Sequence, residues 1–177
     1  MLFRSLSESG LAVYEPYNGV HLTPAGEKLA ARVIRRHRLI ELFLVQVMGM
    51  KWDEVHEDAE QLEHVVSDRL IERIDEMLEH PSSDPHGDPI PTADGRLTRR
   101  ALETLLTCPL NTPVTVARVT DQDAAFLRFL ESNRLKPGET IEVEARDQLS
   151  DSVRLKGKDE ARMTIGARAA SKLLVHL

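Results

Sequence analysis

Residues 53–64 read DEVHEDAEQLEH, and their spacing decides how the surrounding chain folds. At 100° per residue on a helix, His56, Glu60, Glu63 and His64 fall at about 0°, 40°, 340° and 80°, within an arc of roughly 100°. Val55, Ala59, Leu62 and Val66 fall beside that arc, so the polar stripe runs along the edge of a buried face. Two carboxylates and two imidazoles on a half-buried surface suit a divalent transition metal. A solvated polar face with satisfied histidines fits the same spacing, and the residues alone leave both readings open. Asp53 is expected to cap this helix, which should reach about Val66.

Upstream, Thr23 and Pro24 open a long helix, with Thr23 as cap and Pro24 in the first turn, running to Gly49. Leu29, Val33, His37, Ile40, Leu44 and Val47 lie along one side of it. His37 and Glu41, spaced i, i+4, share a face. They are either a surface pair or, if this helix packs antiparallel against the stripe, part of a second metal position with His56. Before this helix, LAVYEPYNGVHL (11–22) reads as two short strands about an Asn18-Gly19 turn, and residues 2–9 as the tail of a helix stopped at Gly10. A helix tail, a hairpin and a capped helix follow the order found at the end of a winged helix-turn-helix, though an ordinary hairpin fits equally well. Arg4, Tyr14, Tyr17 and His21 are the residues there that could meet a phosphate backbone.

Downstream of the stripe, Ser67 caps a further amphipathic helix ending before Pro81. The proline-rich PSSDPHGDPIPTADG (81–95) is a loop, and LTRRALETLL (97–106) a weak helix. From Pro109 the pattern becomes five short strands, interrupted by the helix DAAFLRFLESNRL (123–135), which suggests a small barrel.

The net charge of -6 over 177 residues hides a division. Residues 51–91 carry three Lys/Arg against thirteen acids, whereas 1–50 carry six against four and 92–177 fourteen against twelve. The acidity is thus concentrated around the stripe, and no segment is basic enough to demonstrate nucleic-acid binding by charge. The single cysteine, Cys108, excludes an intramolecular disulfide and a cysteine-based zinc site and reads as an inert loop thiol. No apolar run approaches about 18 residues and no signal peptide is visible, so a cytoplasmic location is expected. Enzyme chemistry is not expected. His56-Glu57 lacks the second histidine of a metalloprotease His-Glu-x-x-His, paired Glu-x-x-His motifs are missing, and no Ser-His-Asp or phosphate-loop signature occurs.

Three separated stretches, LTPAGEKLAARVIRRHRLIELFLVQVMG (22–49), WDEVHEDAEQLEHVVSDRLIERIDEML (52–78) and DPHGDPIP (84–91), resemble the DtxR/MntR family of metal-dependent transcriptional repressors. LKPGETIEVEAR (135–146) is similar to the SH3-like, or FeoA-like, domain of that family. The resemblance implies an α+β chain in four parts. Residues 1–23 would be the remnant of a winged helix (recognition-helix tail and wing) and 24–91 a helical metal-binding and dimerisation domain. Residues 92–107 would be a linker and helix, and 108–177 an SH3-like small β-barrel. It further implies a homodimer that binds operator DNA when loaded with Mn²⁺ or Fe²⁺ and represses metal-uptake genes. Glu60, Glu63 and His64 match the primary metal site, and His37, Glu41 and His56 the ancillary one. A glutamate at 60, where iron-responsive members place a cysteine, points to manganese. Asp121, Gln122 and Asp123 occupy the region from which the SH3-like domain of some members lends ligands, and none is assigned. Family members begin with two further helices, so either the start codon is assigned too late or the protein is truncated at its N-terminus. The alternative expectation is a dimeric metal-binding or interaction protein that has lost operator binding.

Overall fold

The computed structural model describes residues 6–15, 17–98 and 101–177. Arg4 lies outside them. A helical turn at 6–8 leads into the hairpin of β1 (Ala12–Glu15) and β2 (Gly19–Leu22). The turn differs from expectation. Glu15 pairs with Gly19, so three residues, not two, make the connection, with Tyr17 and Gly19 both at positive φ.

Thr23 accepts a hydrogen bond from the Gly26 N–H (3.1 Å), opening α1 (Pro24–Gln46), and donates to the Gly10 carbonyl (2.7 Å). Gly26 sits so close to Leu11 that a Cβ would stand 2.0 Å from its carbonyl oxygen. This contact seats the hairpin on the helix. The central apolar residues of α1, Leu39, Ile40, Leu42 and Leu44, are buried against Val55 and Ala59 of α2 (Val55–Glu63) and Ile71 and Ile74 of α3 (Asp68–Met77). Leu29, Val33 and Val47, at the ends of the same stripe, remain exposed.

The stripe helix is shorter at both ends than expected. Asp53 does not cap it; its carboxylate is turned to Arg128 of the C-terminal domain (3.0 Å). At the other end Arg36 of α1 takes the Glu63 carbonyl (3.1 Å), the Val66 carbonyl and the Asp68 carboxylate, capping α2 at Glu63 so that a new helix starts from Ser67. Similarly α3 stops at Met77, because Glu79 and His80 adopt positive φ and the His80 N–H returns to the Asp75 carbonyl (2.9 Å).

The weak helix expected at 97–106 does not form among the described residues. Glu103–Thr104 is instead a two-residue strand, β3, laid against the last strand. It joins β4 (Pro113–Val119), β5 (Thr140–Asp147), β6 (Ser152–Gly157), β7 (Arg162–Gly166) and β8 (Leu173–His176) in one antiparallel sheet of order β3-β8-β4-β5-β6-β7. Helices α4 (Ala124–Ser132) and α5 (Ala167–Ala170) interrupt it. The sheet therefore has six strands where the sequence suggests five. A bulge between Val116 and Arg118 resets the alternation, so that Val114, Val116 and Val119 all face the core with Val143, Leu155, Leu127 and Leu130. Cys108 is buried in the same core, where desolvation pushes its thiol pKa up.

Contacts with β4 hold the proline-rich loop against this sheet, the Arg118–Asp88 ion pair among them. The Val119 N–H donates to the His86 carbonyl (2.8 Å). Gly87, at φ +84°, lies where a Cβ would be 1.9 Å from the Ala117 carbonyl oxygen at the bulge. On the loop's other side, Arg38 of α1 donates to the Pro89 carbonyl (2.5 Å). Residues 84–90 are thus wedged between α1 and the C-terminal sheet.

Candidate metal centre

Packing α2 on α1 brings residues 19 apart in sequence into contact. His37 Nε2 lies 3.0 Å from Glu41 Oε1 and 3.2 Å from His56 Nδ1, and His56 Nδ1 is 3.1 Å from the same Glu41 oxygen. His37 Nδ1 reaches Glu63 Oε2 at 2.8 Å. Glu41 is 1% exposed and forms the floor, whereas His56 opens the cluster to solvent. The hydrogen bond to Glu41 raises the His37 pKa, with Glu63 adding to it, against the opposing effect of burial. Burial pushes the Glu41 carboxyl up, yet the hydrogen bond and charge of His37, with His86 and His56, hold it below its ordinary value.

Of the stripe residues, His56 and Glu63 join this cluster. Glu60 and His64 do not: both are exposed, and His64 Nε2 is 3.6 Å from Glu63 Oε1. Asp121, Gln122 and Asp123 are committed elsewhere. Asp121 pairs with Lys172, Gln122 donates to Asp88 (3.2 Å), and Asp123 caps α4 through the Phe126 N–H (3.0 Å). Tyr14 and Tyr17 are exposed on the hairpin, as is His21. Tyr14 stands opposite Val20 and His21 opposite Val13, so Tyr14 and His21 project from opposite faces.

A second group was not singled out in the sequence. Glu41, Asp84 and His86 are all buried, and their ligand atoms lie within 4.8 Å of one another, as do those of His37, Glu41 and His56. Glu41 belongs to both, with Oε1 facing His37 and His56 and Oε2 3.9 Å from His86 Nδ1. Asp84 Oδ1 accepts from the backbone N–H groups of His86 (2.8 Å) and Asp88 (2.9 Å). Its Oδ2 has no hydrogen-bond partner among the described residues, with Arg38 Nε 3.6 Å away; His86 Nδ1 has none either. Burial, with Asp88 and Glu41 nearby, pushes the Asp84 carboxyl up to about 7. Buried groups of this kind are normally paired. A carboxylate oxygen and an imidazole nitrogen left open beside a shared carboxylate form a donor set that fits a divalent cation. The sequence signal was Asp84-Pro-His86 inside DPHGDPIP, two ligand types held at a glycine-pinned turn.

Residues 23–92 match the family described as "Iron dependent repressor, metal binding and dimerisation domain", and residues 103–177 match the "FeoA domain". The iron-dependent repressor IdeR of Mycobacterium tuberculosis is 44% identical over 72 residues, 41% of this chain and 31% of that protein. The HTH-type transcriptional regulator MntR of Lysinibacillus sphaericus is 38% identical over 78 residues, 44% of this chain and 55% of that protein. The chain thus spans about a third to a half of the length of these curated relatives. The solved structure of a manganese-dependent transcriptional repressor in complex with manganese is 40% identical and superposes with a TM-score of 0.90, covering 98% of this chain and 80% of that one. The structure of ScaR with bound Cd²⁺ is 34% identical with a TM-score of 0.81, covering 99% and 82%. On these matches the chain belongs to the DtxR/MntR family of metal-dependent transcriptional repressors.

Proposed function

We propose that this chain is a metal-responsive DNA-binding transcriptional regulator, acting as a homodimer in the cytoplasm and repressing genes of metal uptake. The observation that carries the reading is the convergence of His37, Glu41 and His56 on one point, with Glu63 joined to His37. The donor set is imidazole and carboxylate without thiolate, which suits Mn²⁺, with Fe²⁺ as the alternative. We place a further position at Glu60, Glu63 and His64, where Glu63 Oε1 faces His64. A bound divalent cation supplies the positive charge that neutralises the crowded carboxylates.

The rest is done by the chain. Glu41 presents one oxygen to each half of the centre, Glu63 ties α2 to His37 of α1, and Arg36 fixes the end of α2 from the same helix. The domain division into 1–23, 24–91, 92–107 and 108–177 follows this reading, with the β1–β2 hairpin as the wing that meets DNA through Tyr14, Tyr17 and His21 and with Arg4 before it. Exposed apolar side chains at i, i+4 on α1 (Leu29, Val33) and i, i+7 on α3 (Leu70, Met77) support a dimer surface. No catalytic role is proposed. Calorimetric titration with Mn²⁺ tests the site: binding is expected, and His37→Ala with His56→Ala, and likewise Glu63→Ala with His64→Ala, are each expected to remove one class of it. Gel shift of the protein's own promoter DNA is expected to require the metal. Metal binding with no DNA shift would favour a metal-binding or interaction protein that does not read an operator.

A further inference from the structure

Trp52 is the only tryptophan of the chain and lies in the turn between α1 and α2. Its ring is nevertheless buried in the core of the C-terminal domain, with Lys136 Nζ 5.2 Å from its centroid. The next residue, Asp53, is held by Arg128 of α4. The same ring stacks on the imidazole of His86, with centroids 5.6 Å apart and planes 25° from parallel. The Trp52 carbonyl lies 2.9 Å from His86 Nε2.

That last contact sets the protonation pattern of the ring. A backbone carbonyl can only accept, so His86 Nε2 carries the hydrogen, and in the neutral imidazole Nδ1 then holds the free lone pair. Nδ1 is the atom 3.9 Å from Glu41 Oε2, without a hydrogen-bond partner among the described residues although His86 is 1% exposed. The orientation of the imidazole is therefore imposed from the Trp52 side and from the backbone, where the His86 N–H is held by Asp84 and its carbonyl by Val119. Histidine ligands are commonly oriented in this way, by a carbonyl on the nitrogen opposite the metal.

We propose that Trp52 is a positioning residue for the buried half of the metal centre. It clamps His86 by stacking and by its carbonyl so that Nδ1 faces Glu41 and Asp84. Because the clamp is rooted in the C-terminal core, the buried ligands are presented only while that domain is seated on the helical one. The inference rests on reading Glu41, Asp84 and His86 as a metal position.

The test uses the full chain and Mn²⁺ alone, with free Mn²⁺ followed by electron paramagnetic resonance, in the native protein and in His86→Ala, Trp52→Phe and Trp52→Leu. His86→Ala is expected to remove one class of binding. Trp52→Leu is expected to weaken that class about tenfold to a hundredfold, the range for changes behind a metal ligand. Trp52→Phe, which keeps a stacked ring, is expected to restore most of it. A second readout needs no metal: carbon relaxation of the His86 ring should report a rigid imidazole in the native protein and Trp52→Phe, and a mobile one in Trp52→Leu. Should Trp52→Leu fail to fold, Trp52→Met takes its place, and affinity must fall in the order Trp, Phe, Met. Folded Leu or Met variants with native His86-dependent affinity and a rigid His86 ring would overturn the clamp while leaving the metal position standing. Unchanged binding in His86→Ala would overturn the metal position and the clamp with it.

Discussion

Asp84→Asn separates stability from metal binding at one buried atom. The folded protein holds the Asp84 carboxyl at about 7 against an ordinary value of 3.8, through burial and the nearby Asp88 and Glu41. Below pH 3.8 the group is protonated in both folded and unfolded chains and costs nothing. As the pH rises from there to 7 the unfolded chain ionises first, so folding loses stability across that window, and above 7 the loss is constant. At 1.36 kcal/mol per pH unit the full penalty is about 4 kcal/mol, a ceiling that solvent and local relaxation reduce to about 2. Asparagine cannot ionise, and its Oδ1 still accepts from the His86 and Asp88 N–H groups. The metal-free Asn variant should therefore melt higher than the native protein at pH 8. At roughly 2–4 °C per kcal/mol the gain is about 4–8 °C, and at pH 5 it should be less than half as large. Mn²⁺ at a hundredfold excess over the Kd of the Glu41, Asp84 and His86 position adds about 2.7 kcal/mol through that position, and the Asn variant should lose at least half of that increment. Scanning calorimetry at both pH values, with and without Mn²⁺, reads all of this. Destabilisation at pH 8, or a gain that does not change with pH, would refute the reasoning.

Other consequences concern how the loop and the C-terminal core are held. Gly87→Ala places a methyl against the Ala117 carbonyl at a positive φ, and urea melts should show a loss of more than about 2 kcal/mol, with weakened Mn²⁺ binding as the loop shifts. Leu130→Ala empties a fully buried position in the C-terminal core and should lower stability by about 2–5 kcal/mol in the same assay.

Much of the architecture was legible in local pattern. Thr23-Pro24 gave the start of α1, Ser67 that of α3, and the apolar alternation gave β4 to β8, because capping chemistry and side-chain period are written in neighbouring residues. Boundaries that depend on distant partners were not. Asp53 has the chemistry of a cap and is instead drawn to Arg128, 75 residues on. The end of α2 is set by Arg36, 27 residues before it. The hydrophobic side of Leu97–Leu106 looked helical, yet Glu103–Thr104 is taken up as a strand by β8, which local propensity cannot foresee.

The candidate metal centre divides in the same way. His37, Glu41, His56 and Glu63 could be found from helical spacing once two helices were taken to pack. Glu60 and His64 share that spacing but are exposed and lie outside the His37, Glu41 and His56 cluster. Asp84 and His86 enter through a loop that only the C-terminal sheet holds in place, and no periodicity marks them. Trp52 lies in a turn of the helical half and packs in the other core, a placement that composition does not reveal.

The central claim is that His37, Glu41 and His56 bind one divalent cation. Crystals of the protein grown with MnCl₂, measured on both sides of the manganese absorption edge, test it most directly. An anomalous peak within bonding distance of His37 Nε2, His56 and a Glu41 oxygen is the predicted result. A map with no peak there, from crystals in which those side chains are ordered, would contradict it.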